Sequence, residues 1–104
     1  MKTIVSSALA ITLLFGAATP LLASDDIGPD QAVKLLQDGV IKPFETLNEA
    51  ALAKHPGATI KETELEREYG RYVYKVELRD ADGVEWDVDL DAAAGEVLDD
   101  RRDD

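Results

Sequence analysis

An α+β fold in two layers, with N-terminal helices packed on one face of a three- to four-stranded antiparallel sheet, follows from three features of the chain. Apolar residues recur at helical spacing twice between Pro29 and His55. From Ala58 onward the period changes to two. The alternating segments are punctuated by "YG", "DADG" and "AAAG", each a turn signal ending in glycine. The order helix, helix, meander places the helices together on one side of the sheet.

Residues 1–23 read as a secretory signal peptide. Lys2 precedes an apolar run from Ile4 to about Ala18, Pro20 breaks it, and the small residue Ala23 offers a cleavage position. The run is shorter than the roughly 18 to 20 residues that cross a bilayer. The mature chain is therefore expected in the periplasm or secreted, without stable membrane insertion. A domain over 24–98 follows. Its first helix, about 29–38, has Pro29 at the first helical position, Asp30 in the first turn, and Gly39 as a stop. Ala32, Val33, Leu35 and Leu36 form its apolar stripe, with Val40 and Ile41 packing beyond the glycine. A second helix, about 43–55, starts at Pro43, buries Phe44, Leu47 and Ala51, and ends at His55-Pro56-Gly57. Strands are expected at about 59–67, 71–79, 84–91 and 96–98, and residues 99–104, "DDRRDD", as a solvated acidic tail.

The second hairpin can be set in register from its apolar residues alone. Tyr72, Tyr74, Val76 and Leu78 share one face of their strand, and Val84, Trp86, Val88 and Leu90 share one face of the next. A two-residue turn at Asp82-Gly83 would oppose Leu78 to Asp87 and mismatch the faces. A three-residue loop, Ala81-Asp82-Gly83 with Gly83 left-handed, opposes Leu78 to Trp86, Val76 to Val88 and Tyr74 to Leu90. The other face then pairs Arg79 with Glu85 and Lys75 with Asp89, and sets Glu77 against Asp87 as a like-charge pair. In the first hairpin a Tyr69-Gly70 turn pairs Leu65 with Tyr74 and Glu64 with Lys75 but leaves Ile60 out of phase, so a bulge is expected in that strand.

The composition excludes whole classes of function. No cysteine is present, which rules out disulfides, thiolate metal sites and a cysteine nucleophile. Eleven Lys and Arg against 22 Asp and Glu give a net charge of −11, a surface that repels nucleic acid and anionic membrane and suits cations or basic protein segments. The chain has no glycine-rich phosphate loop.

Glu85, Asp87 and Asp89 alternate with the apolar residues of the third strand and form a wet acidic face, the candidate partner-facing surface. Acid and base catalysis would need one of these carboxyls buried or crowded. "DADGVEWDVDLD" opens like a calcium loop, yet Val84 stands at a ligand position and Glu85 where the sharp turn needs glycine, so no metal site is assigned and charge alone admits only weak divalent cation contact. His55, the sole histidine, is expected to cap or pack at the end of its helix. Tyr72, Tyr74 and Trp86 are expected in the core, with Trp86 buried against the helices.

The stretch Ala51 to Leu98 resembles a PepSY domain. The resemblance is carried by His55-Pro56-Gly57, Glu64-Leu65-Glu66, Tyr74 with Val76 and Leu78, Asp82-Gly83, and Asp91-Ala92 through Gly95-Glu96-Val97-Leu98. The preceding "AVKLLQDGVIKPFETL" is similar to the lead helix of small exported single-domain PepSY proteins. The resemblance implies a non-enzymatic module without cofactor or catalytic residue, of the kind found in propeptides of secreted metallopeptidases and in bacterial envelope proteins, where it modulates peptidases. It implies a protein partner in the cell envelope, a peptidase or a sensor, reached in trans. The alternative expectation is an envelope module that senses or buffers cations through Glu85, Asp87 and Asp89.

Overall fold

The computed structural model describes residues 25–103; the segment read as a signal peptide lies outside them. Two helices, α1 (Pro29–Gln37) and α2 (Phe44–Leu52), pack on one face of an antiparallel sheet. The sheet has four principal strands, with a two-residue strand β1 (Asp25–Asp26) added at one edge. The principal strands are β2 (Thr59–Glu68), β3 (Arg71–Arg79), β4 (Glu85–Asp91) and β5 (Val97–Arg102), and the sheet follows chain order.

Local chemistry explains the helix ends. Pro29 begins α1, and Gly39, at φ +73°, ends it. The Val40 amide then donates to the Leu35 carbonyl (2.9 Å) and the Gly39 amide to that of Leu36 (3.2 Å), a Schellman arrangement that satisfies two orphan carbonyls. This closure turns Ile41 back into the core, where it is 4% exposed. Within the stripe, Ala32 and Leu35 are buried, whereas Val33 is exposed. Helix α2 stops at Leu52, short of the expected His55, because its final bonds tighten: Lys54 donates to Ala51 and His55 to Leu52.

Both hairpins take the expected register. Leu78 faces Trp86, Val76 faces Val88 and Tyr74 faces Leu90, around a loop in which Gly83 has φ +84°. In the first hairpin Leu65 faces Tyr74 and Glu64 faces Lys75. Tyr69 and Gly70 both have positive φ, the twist that a type I′ turn requires. The register slips between Ile60 and Glu62, a bulge that returns Ile60 to the inner face opposite Leu78.

The core lies between this inner face and the helices. Leu47, Ala51, Leu78, Val88 and Leu90 are wholly buried there, and Phe44 stacks on Tyr74 with ring centroids 5.3 Å apart. The Tyr74 hydroxyl donates to Asn48 of α2 (2.7 Å), and the Lys42 amide donates to the Ala92 carbonyl, tying the interhelical link to the loop beyond β4.

Three expectations need correction. Residues 99–102 belong to a strand, with Asp99 to Arg102 opposite Asp89 to Trp86, so "DDRRDD" is no free tail over that span. Its outward side chains have no apolar pattern, but the open edge of β4 supplies the missing hydrogen bonds. The polar lead contains β1, where Asp25 and Asp26 pair with Arg67 and Glu66, and the Ile27 amide continues the ladder to Leu65. Trp86 is not fully buried: it packs at the margin of the core, with the His55 ring stacked on it at 4.4 Å between ring centroids.

Candidate functional site: the charged outer face

With both helices on the inner face, no helix among the described residues covers the outer face of the sheet. Alternation assigns it Glu62, Glu64, Glu66 and Glu68 from β2, Arg71 to Arg79 at every second position from β3, and Glu85, Asp87, Asp89 and Asp91 from β4. Arg101 of β5 lies opposite Asp87, and Asp99 opposite Asp89. Carboxylates outnumber bases, and Lys75 and Arg101 are each shared between two of them.

Glu85 is the best served of the sequence-predicted trio. Lys61 (2.8 Å) and Arg79 (2.9 Å) both reach its Oε2, and these two cations pull its carboxyl down to about 2. Asp89 receives one guanidinium, that of Arg101 at 3.5 Å, shared with Asp99 at 2.6 Å. Asp87 receives none. Burial and the nearby Asp103 carboxylate push its carboxyl above the ordinary aspartate value. Its cross-strand neighbour Glu77 is pushed up as well, by lost hydration and by the Glu85 carboxyl beside it. The ion pairs of Lys61, Arg71, Lys75, Arg79 and Arg101 all go to other carboxylates than Glu62, Glu77 and Asp87. These three form a row across β2, β3 and β4 at the wall of a shallow depression of about 170 Å³.

One strand position farther along, Lys75 is the hub. Its ammonium lies 2.8 Å from Glu68 and 3.4 Å from Glu66. The two carboxylates compete for it with opposite results. Glu68, holding the short contact, is lowered mainly by Lys75. Glu66, 8% exposed, is raised by burial and by the adjacent Glu68 and Glu64, and its Oε1 accepts no hydrogen bond. At the opposite end of the sheet, Asp80 closes the β3–β4 loop by accepting from the Asp82 and Val84 amides and from Trp86 Nε1, each at 2.9 Å. The indole hydrogen bond, with the two amides, lowers its carboxyl. His55 stacks on that indole and meets Asp100 at 2.8 Å. The calcium-like opening of "DADG" thus serves as a hairpin lock, and the histidine as its packing lid.

Sequence reasoning found the like-charge pair of Glu77 and Asp87. It set Lys75 against Asp89 across the hairpin, whereas the ammonium turns to Glu66 and Glu68, and it missed the part played by Arg101 and Asp103 because residues beyond Leu98 read as a tail. The spacing of Arg101 from Asp99, two residues on the same strand face, was the available signal.

The matching family model, the peptidase propeptide and YPEB domain, covers residues 41–101. The chain belongs to the PepSY family. The match spans α2, β2, β3, β4 and β5 as far as Arg101, and so contains the outer-face residues named above except Asp103. PepSY domains are typically non-catalytic modules. No helix among the described residues is long and apolar enough to cross a membrane. No curated protein and no solved structure matches the chain.

Proposed function

We propose that this PepSY domain is an exported, non-enzymatic binding module that regulates a protein partner in the cell envelope, a peptidase or a sensor, in trans. The observation that carries the reading is the two-layer architecture: among the described residues, a broad charged sheet face has no helix over it on the side away from α1 and α2. Export is supported by the signal-like residues 1–23, and the link to peptidases by the family. A net charge of −11 favours a basic partner surface, speeding encounter more than deepening affinity.

The test is twofold. The purified protein is expected to hydrolyse no peptide substrate, and to retain a specific partner from envelope extract with an association rate that falls between low and physiological salt. Failure to retain any partner at either salt removes the reading. The cation-sensing alternative draws on one observation, that carboxylate oxygens of Glu77, Asp87 and Asp103 lie within 4.8 Å of one another. A stoichiometric micromolar calcium isotherm abolished by Asp87→Asn would put that alternative first; calorimetry is expected to find none.

A further inference from the structure

The outer face carries two concavities, and their chemistry differs. The acidic depression described above lies at one end. At the other, a second recess of about 350 Å³ is lined by Glu68, Tyr69, Arg71, Val73, Asp89 and Leu98. Val73, between the inward Tyr72 and Tyr74, is the apolar floor of this outer face and is 3% exposed. Beside it Leu98 is 42% exposed and Tyr69 87%. Tyr69 is unexpected there on local grounds. It sits at φ +49°, a left-handed turn position where asparagine or glycine would be free of strain, and its ring is left largely in solvent. The turn alone gives no reason for an aromatic side chain.

The two recesses are in register. Glu77 at the acidic end and Val73 at the apolar end are four residues apart on β3, about 13 Å at the usual rise per strand residue. Between them lies the pair Lys75 and Asp89, joined by the guanidinium of Arg101, which stands opposite Asp87 but reaches over to Asp89; all three also border the acidic depression, so positive charge is already present there. An extended segment laid along β3 presents side chains to the sheet at every second residue, so its contacts would fall on these three rows in turn.

We propose that the outer face receives an extended partner segment carrying lysine or arginine at one position, a non-basic residue two positions on, and a large apolar residue four positions on. This rests on the protein-binding reading above and names the chemistry of the partner. The basic side chain enters between Glu77 and Asp87 and brings a cation into ion-pairing distance of both, which Arg101, opposite Asp87 but turned to Asp89 and Asp99, does not do. The apolar side chain fills the recess against Val73 and Leu98 under the Tyr69 ring. Lys75 and Arg101 exclude a second basic residue from the middle. Charge complementarity, local and not merely global, selects this occupant over a neutral strand.

The test uses a synthetic β-prone peptide with lysine, serine and leucine at positions i, i+2 and i+4, titrated into the isotopically labelled protein and followed by NMR. Two control peptides replace the lysine by glutamate, or the serine by arginine. Chemical-shift changes are expected along β3 and at Asp87 and Leu98, with each control weaker by about tenfold or more. The double variant Glu77→Gln with Asp87→Asn, which relieves repulsion and so keeps the fold, is expected to lose affinity for the lysine peptide by about tenfold while binding the glutamate control no worse than the wild type does. Leu98→Asp is expected to weaken binding through the other recess. Equal affinity for all three peptides, shift changes confined to the outer edges of β2 or β5, or an unchanged double variant would overturn the proposal. So would displacement of the peptide by micromolar calcium, which assigns the row to a metal, or concentration-dependent dimerisation that blocks the face. If the double variant still retains the envelope partner at wild-type rate, this inference falls while the binding function stands; if the wild type retains none, both fall.

Discussion

Strand β4 has two faces built from alternate residues of one seven-residue segment, and they are held by different forces. On the inner face Val88 and Leu90 are wholly buried and Trp86 partly so. There, area removed from water is what counts, and neighbours of similar size are interchangeable to first order. Of the four evenly spaced carboxylates on the outer face, Glu85, Asp87 and Asp89 meet three different fates. Glu85 takes two cations, Asp89 shares one, and Asp87 has none. Alternation locates a carboxylate, but only the reach of neighbouring bases decides whether its charge is spent within the chain or left for a partner.

The contrast breaks most visibly in the core. Leu78→Ala, at a wholly buried position, is expected to cost about 3 to 4 kcal/mol in urea unfolding, whereas Asp89→Ala on the outer face costs less than about 1 kcal/mol. Similar losses at the two sites would erase the distinction between the faces. Trp86 lies between these extremes. Its partial exposure lowers the expected cost of Trp86→Ala to about 2 to 3 kcal/mol, below the usual range for a fully buried tryptophan. Trp86→Phe keeps the stacking on His55 but removes the donor to Asp80, for about 1 kcal/mol.

The smallest effect sharpens the comparison most, because Glu85 and Asp87 are expected to respond to pH in opposite directions. The Glu85 carboxyl is lowered from 4.5 to about 2 by Lys61 and Arg79. Its stabilising contribution is therefore present above pH 4.5 and is lost as pH falls from there toward 2. The Asp87 carboxyl is raised above 3.8, so the folded state holds its proton more tightly than the unfolded chain. Its ionisation costs stability at neutral pH, and the cost disappears as pH falls through the raised value toward 3.8. Asp87→Asn is thus expected to stabilise the protein near pH 7 by roughly a few tenths of a kcal/mol, and to lose that advantage below pH 3.8. Chemical denaturation at a series of pH values measures both slopes; a stabilising effect of Asp87→Asn that persisted unchanged in acid would remove the repulsion account.

Much of this architecture was legible in the residues, and for a definite reason. Both hairpin registers follow because one-residue slips would set Leu78 against Asp87 or send Ile60 outward, and only a glycine-containing loop or a bulge avoids that. Strand β5 beyond Leu98 was not legible, since Asp99 to Arg102 carry no apolar alternation and become a strand only where the β4 edge offers backbone partners. β1 failed to show for the same reason, being two acidic residues long. The acidic row of the candidate site was half legible: Glu77 and Asp87 were seen to oppose each other, but Glu62 joins them across the sheet only through the bulge at residues 60–62.

The sequence by itself determined the order of the two helices and of β2, β3 and β4, the pairing of those strands, and the side of the sheet on which the residues of β3 and β4 lie, because period and turn chemistry are local properties of the chain. Tertiary structure alone decided which charges are spent. Lys61 could reach Glu85, Lys75 could have chosen Asp89 over Glu68, and Arg101 could have paired with Asp87 opposite it; the twist and spacing of the assembled strands fix where these long side chains end. An unneutralised row is a property of that final arrangement, since desolvation and Coulomb attraction act through space and not along the chain.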